Sequence, residues 1–228
     1  ARATASSASA RAGRIVDGDA DSAWRSSRGA QRVTLDLGSV REFGGLTLRW
    51  ATSAHATRYS LSLSDDGRNW RPTREVTDAN GGIDWIALPE SQARYIALDF
   101  AQGHGAHFEL AEATVMPLAF AATPSQFVAA VARELPRSWL PRGFQAEQPY
   151  WTIVGIDGGR EQGLIGEDAA IEVGKGGFSI EPFVIVDGTL LGWADVATRQ
   201  SLAAGYLPIP SVEWAHPRVA LEVTAFAA

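Results

Sequence analysis

Apolar and polar residues alternate in short runs through the first half of the chain. Val33-Thr34-Leu35-Asp36-Leu37, Leu46-Thr47-Leu48-Arg49-Trp50 and Tyr59-Ser60-Leu61-Ser62-Leu63-Ser64 each show a period of two. Such a period sends one face of a strand into a core and the other outward. Tyr95 to Phe100 and Ala111 to Met116 continue the series, and Gly and turn dipeptides separate the runs from residue 13 to 118. Short strands at this spacing predict an all-β sandwich or jelly roll.

The alternation stops at Pro117. Thr123-Pro124 reads as a helix N-cap followed by proline at the first helical position. Phe127, Val128, Val131, Ala132 and Leu135 recur at helical spacing until Pro136 ends the run, so the spacing predicts a linker helix over 124–135. Pro141, Gly143 and Pro149 make the next stretch a loop. β character returns with Tyr150 to Gly155, Ala169 to Val173, Phe178 to Val186, Thr189 to Trp193 and Arg218 to Phe226. Asp187-Gly188 between two of these suits a two-residue type I′ hairpin turn. The expected organisation is a sandwich over 1–118, a linker over 119–149, and a second β-sandwich region, complete or partial, over 150–228. The last strand-like run ends two residues before the end of the given sequence, which raises the expectation of a longer parent protein.

A length of 228 residues fits two modest domains, and 46% hydrophobic with 20% charged residues is ordinary for folded protein. No apolar run approaches the length of a membrane span. A net charge of −6 argues against a nucleic-acid partner, whose phosphates call for a basic face. Lys175 is the single lysine, a bias that reads as genomic base composition. The absence of cysteine removes disulfides, thiol catalysis and thiolate metal sites, yet leaves the compartment open. The small, polar start from Ala1 to Ala10 is compatible with the mature end left by signal-peptide removal, and the expected location is secreted or periplasmic.

Two clusters carry specific information. One is Arg14-Ile15-Val16-Asp17-Gly18-Asp19-Ala20-Asp21-Ser22-Ala23-Trp24, followed by Arg25-Ser26-Ser27. The other is Ser64-Asp65-Asp66-Gly67-Arg68-Asn69-Trp70. In the first, Asp17, Asp19 and Asp21 alternate through a Gly-containing turn, where carboxylate and carbonyl oxygens can converge on a hard cation such as Ca²⁺. The same residues can equally form a simple Asx turn.

With Asp36-Leu37-Gly38 between them and Ala111-Glu112 before the last strand, these clusters resemble the coagulation factor 5/8 type C, or discoidin, family. Carbohydrate-binding modules of the galactose-binding-domain-like fold belong to the same group, and the resemblance covers about residues 5 to 118. It implies a discoidin-like jelly-roll β-sandwich with a structural metal, Ca²⁺ or Na⁺. Carried over by position, the ligands are Asp17 by side chain, Arg14 and Asp19 by carbonyl, Ser22 by hydroxyl or carbonyl, and Ala111 by carbonyl beside Glu112. Ser22 stands where the family usually has Thr, which keeps the hydroxyl.

Sites in this fold lie on loops at one end of the sandwich, here 26–31, 51–58 and 102–108. They hold the candidate carbohydrate contacts Arg28, His55, Arg58, His104, His107 and Phe108. A sugar site wants a flat apolar surface and a few fixed polar groups. The set is thin in aromatics, so an inert scaffold remains an equal reading. Trp24 and Trp70 lie in the fold-defining motifs and are read as core residues, while Trp50 is balanced between core and rim. His104 with His107 lacks a third ligand for zinc.

In the second half, Gly174-Lys175-Gly176-Gly177 is not followed by Lys-Ser/Thr or a helix and is not a phosphate loop. The stretch from Glu172 through Trp193-Ala194-Asp195 to Trp214 is similar to the β-sandwich preceding the helical toroid barrel of large bacterial glycoside hydrolases. That similarity implies a catalytic domain downstream, with this chain as a non-catalytic binding and support region. Two alternatives compete: a stand-alone adhesion or lectin-like protein, and a small hydrolase drawing on Glu167, Asp168, Glu181 and Asp195. No Ser/His/Asp arrangement or paired-carboxylate motif supports the last.

Overall fold

A computed structural model of the chain describes residues 1–51 and 53–227. They divide into two compact units, Ala1–Phe127 and Val128–Ala228.

The first unit holds seven strands: β1 (Arg2–Ala5), β2 (Trp24–Arg25), β3 (Gln31–Trp50), β4 (Ala56–Ser64), β5 (Arg71–Val76), β6 (Ile83–Gly103) and β7 (Glu109–Met116). Their order is β2-β7-β3-β6-β4-β5, with β1 added to β3. All pairings are antiparallel. Two strands of 20 and 21 residues, β3 and β6, run beside each other from Gln31↔Phe100 to Arg49↔Ile83.

Register shifts between Asp36/Arg41 and Phe43/Gly45 bend this ribbon. The first half of β3 pairs with β1 and with the second half of β6, which also carries β4 and, through it, β5. The second half of β3 pairs with the first half of β6 and with β7, which carries β2. Bulged strands that switch layers are how orthogonal sandwiches turn their corners.

The residues explain the bend. Buried side chains on β3 are those of the odd residues Gln31, Val33, Leu35, Leu37 and Phe43, then of the even residues Leu46, Leu48 and Trp50. A change of parity requires an irregularity between the two stretches. The alternation therefore located both stretches correctly, and the structure joins them into one strand. Facing them, Leu61, Leu63, Ile86, Leu88, Ile96, Leu98, Phe100 and Leu110 complete one core, closed by Ile15 from a 3₁₀ turn over Ser9–Val16. The strands β1, β2 and β5 were not expected: β1 and β2 are short, and β5 is exposed on nearly every residue, so none carries a clean alternation.

Helix α1 (Pro124–Ala132) begins as expected, with Thr123 Oγ1 accepting from the Gln126 N–H at 3.2 Å. It ends three residues before the expected Leu135; the Glu134 and Leu135 amides reach back to Val131 and Ala132 in turns.

The second unit is also built of strands, in three small sheets. One has the order β11 (Ser179–Ile180), β10 (Ile171–Glu172), β9 (Gly163–Gly166), β8 (Trp151–Val154). A second is the hairpin β12 (Val184–Val186) and β13 (Thr189–Leu191); the third is β14 (Ala197–Leu202), β15 (Pro210–His216) and β16 (Val219–Thr224). Asp187 and Gly188 have φ of 49° and 77°, the left-handed pair a type I′ turn needs. The expected run 178–186 is broken at Glu181-Pro182-Phe183, because proline cannot donate to a ladder. Ala169–Val173 shrinks to two strand residues, with Ala169 at φ 70° in a turn. Val154, Ile165, Trp193, Val212 and Trp214 share one core.

A Cβ built on Gly45 falls 2.3 Å from the Ile86 carbonyl oxygen and 2.7 Å from the Phe120 ring. The obstacle is largely backbone in the pairing of β3 with β6, so it cannot move cheaply. Gly45→Ala is expected to destabilise the first unit by about 2–3 kcal/mol. Urea unfolding followed by tryptophan fluorescence measures this; an unchanged midpoint would show that the close approach is not a constraint.

Candidate functional site

Backbone hydrogen bonds lace the three expected loops together at one end of the first unit. Ser26 N–H donates to the Phe108 carbonyl at 2.9 Å, and Phe108 N–H returns to Ser26 Oγ at 2.8 Å. Glu109 N–H donates to Ala54 O at 2.8 Å and His104 N–H to His55 O at 3.1 Å. The loops of Arg28, His55 and His104–Phe108 thus form one surface. Thr52, within the second loop, lies outside the described residues.

His55 occupies the middle of this end. It is 7% exposed, its ring centroid lies 5.0 Å from that of His104 and 6.4 Å from that of Trp50, and neither ring nitrogen has a hydrogen-bond partner among the described residues. Buried polar groups are almost always paired, and an unpaired one costs about 1–3 kcal/mol. Phe108, expected as an exposed platform, is 5% exposed and stacks on Phe100 at 5.4 Å, so it serves as the floor. His107 is half-buried and meets Glu109 at 3.1 Å. Arg28 and His104 are exposed on the rim. Arg58 is directed elsewhere: on β4, its guanidinium meets Glu75 of β5 at 2.8 Å.

A fourth loop, residues 77–82, escaped the sequence reading. Ala79 N–H donates to Thr57 O at 3.0 Å, Gly82 O accepts from Trp50 N–H at 2.8 Å, and a Cβ on Gly81 would lie 2.6 Å from His55 Nδ1. Asn80-Gly81-Gly82 is a turn signature that could have flagged it.

The tryptophans divide. Trp24 is fully buried and Trp50 is 5% exposed. Trp70, expected in the core, is half-buried beneath the Arg32 guanidinium, 5.5 Å from its ring centroid. The motif places it at the end of a turn, where one face stays open to an arginine.

The loop 17–22 meets Glu112 of β7. Gly18 N–H donates to Glu112 Oε2 at 3.1 Å, while Asp17 accepts from Asp19 N–H at 3.0 Å and Ser22 Oγ–H at 2.9 Å. Those donors hold the Asp17 carboxyl below its ordinary range. Burial, reinforced by the Asp17 charge, pushes the Glu112 carboxyl up. The Asp17 and Glu112 carboxylates thus flank Gly18, near enough for the Asp17 charge to act on Glu112. Among the described residues no third His, Cys, Asp or Glu joins them. Further ligands would be the carbonyls of Arg14, Asp19 and Ala111 and the Ser22 oxygens. The Arg14 side chain itself points to Ala23 O at 3.4 Å.

The F5/8 type C domain model matches residues 2–112. The first unit is a member of the F5/8 type C, or discoidin-like, family. The match ends at residue 112, so the second unit stands outside it. No curated protein matches the chain. Several solved structures are similar. One is a Clostridium perfringens module in complex with GalNAc-β-1,3-galactose, at 25% identity and TM-score 0.47, covering 50% of this chain and 94% of that one. Another is chitosan-binding module 1 from a Paenibacillus sp. IK-5 chitosanase/glucanase, at 30% identity and TM-score 0.46, covering 50% and 92%. A third is the family 32 carbohydrate-binding module of Clostridium perfringens NanJ in complex with galactose, at 20% identity and TM-score 0.46, covering 50% and 90%.

The carboxylates of the second unit are not equivalent. Asp168 is 5% exposed and accepts the Ala170 N–H at 3.2 Å; Asp195 caps a 3₁₀ turn through Gly192 N–H at 2.9 Å; Glu167 is paired with Arg142. Glu181 is half-buried, and burial followed by the Asp168 charge pushes its carboxyl up to about 7. The folded state therefore holds this proton more tightly than the unfolded chain, so the contribution of Glu181 to stability falls as pH rises from about 4.5 to about 7. Glu181→Gln is expected to remove that decline, measured as melting temperature against pH. An equal decline in the variant would assign it to other groups.

Proposed function

We propose that the first unit is a glycan-binding module whose site is the loop end around His55 and His104. The observation that carries the reading is the His55 imidazole enclosed beside His104 among hydrogen-bonded loops, with neither nitrogen partnered among the described residues. Both nitrogens are shielded from solvent, with Gly81 packed against Nδ1, so a sugar hydroxyl reaches them only where the 77–82 loop yields; the imidazole then offers it one donor and one acceptor. Phe108 and Trp50 give an apolar floor, while Arg28 and His104 are free on the rim to donate to further hydroxyls.

The wider setting we propose is an exported protein that acts on glycans, in which this chain binds and positions rather than cleaves. The support is the glycan-binding character of the first unit and the resemblance of the second half to the β-sandwich of large glycoside hydrolases. We further propose a structural Ca²⁺ held by Asp17 and Glu112 with neighbouring carbonyls. Its support is the two carboxylates brought together by the Gly18–Glu112 hydrogen bond. The ion would cancel their repulsion and tie the 17–22 loop to the strand that leaves the loop end.

Two measurements test these readings. A glycan array followed by titration with the best ligand should show His55→Ala weakened by about tenfold or more, the loss of one to two hydrogen bonds, with an unchanged circular dichroism spectrum. Full affinity in that variant would move the site elsewhere. EDTA should lower the melting temperature by about 5 °C or more, with added Ca²⁺ restoring it and Glu112→Gln abolishing the response. A melt indifferent to both chelator and calcium would leave the loop as a plain Asx turn.

A further inference from the structure

The flank of the first unit carries a groove that the loop-end site does not use. Residues 83–87 of β6 pair with β3 on one side, and the other side of this stretch faces β5, the last strand of the opposite layer. The two edges are joined by the loop 77–82 and leave a groove of about 470 Å³ between them. Its lining includes Arg74 and Glu75 of β5, Asp78 and Asn80 of the loop, and Asp84 and Trp85 of β6.

Three features make this a binding surface rather than a mere cleft. Asp84 is fixed from behind: its Oδ2 accepts from Trp50 Nε1–H at 2.9 Å and from Tyr59 O–H at 2.8 Å. Its Oδ1 accepts nothing from the described residues, so a preset acceptor lies in the groove. That arrangement also raises the Tyr59 hydroxyl far above its ordinary range, through burial and then the Asp84 charge, and keeps it a donor.

The side chains of Arg74, Asp78 and Asn80 likewise make no hydrogen bond or ion pair with described residues, while Glu75 is held by Arg58. Three polar groups of both donor and acceptor kind, unpaired among the described residues, therefore line the same groove as one fixed carboxylate. Finally, the half-buried Val76 and Ile83 supply apolar lining beside them.

We propose that this groove is a second glycan site, independent of the loop-end one, and that it takes a non-acidic oligosaccharide with amino sugars preferred. A fixed carboxylate, an amide and a guanidinium beside apolar lining form a set that recognises hydroxyls on a sugar ring. A peptide adding as a strand fits less well, because the β5 edge carries Pro72, a register shift and charged side chains that oppose pairing. The sign of the charge selects among sugars. With Glu75 neutralised by Arg58, Asp78 and Asp84 face the single cation Arg74, so an ammonium is favoured and a uronate is repelled. Two sites on one module would bind a polysaccharide with avidity beyond either alone.

Calorimetric titration of the full chain with a β-1,4-linked glucosamine trisaccharide tests the proposal. His55→Ala, with His104→Ala as a second variant at an exposed position, removes the loop-end contribution. Either variant should still bind the trisaccharide, and adding Asp78→Asn with Asn80→Ala should weaken that binding by about tenfold or more without moving the melting temperature. A uronate trisaccharide should not bind the His55→Ala chain. Binding abolished by His55→Ala and His104→Ala alone would overturn the groove and leave the loop-end site standing. Binding untouched by the Asp78/Asn80 changes would overturn it too. A wild-type chain that binds no glycan in any titration would overturn both sites.

Discussion

The pairing of β3 with β6 is the constraint on which the first unit rests. Each strand is long enough to serve both layers, so the hydrogen bonds between them continue through the corner rather than ending at it. Every other strand then attaches to one side or the other of this ribbon. The bend demands backbone irregularity and space: register shifts on either side of Arg41–Phe43, and a glycine at 45 where β3 passes against the Ile86 carbonyl. Any side chain there would force apart the pairing that defines the layers.

The same ribbon places the chemistry. Trp50 ends β3 and Asp84 begins β6, so the two meet where the ribbon starts and finishes, with Tyr59 of β4 closing the set. A buried indole and a buried phenol each need an acceptor, and one carboxylate oxygen satisfies both. Core stability and a preset polar surface are therefore consequences of one arrangement. His55 follows the opposite rule, with its ring enclosed and its nitrogens unpaired among the described residues. An unpaired buried ring calls for an explanation, and the proposed glycan site supplies one.

How much was legible depended on distance along the chain. The alternating segments at 33–37, 46–50, 59–64, 95–100 and 111–116 all proved to be strands, because period-two burial is a local signal. The N-cap at Thr123 and the Asp187-Gly188 turn were equally local, and both stand. Weakly patterned strands were missed: β5 lies open to solvent on almost every residue, and β14 is exposed along its whole length, so neither writes a hydrophobic face into the sequence. Pro182 broke an expected strand, a case of a single residue overruling the apolar content around it.

For this protein, the sequence by itself determined the all-β class and the discoidin-type motifs, since each is carried by residue identity and spacing; Glu112 as partner of the 17–22 loop came only from the family resemblance. Only the tertiary structure decided which polar groups face one another. It put Phe108 in the core, turned Arg58 to Glu75, enclosed the His55 ring beside His104, and drew loop 77–82 between the loop end and the flank groove. Those outcomes depend on where the bent ribbon of β3 and β6 brings distant segments together. No local pattern of hydrophobic and polar residues encodes that meeting.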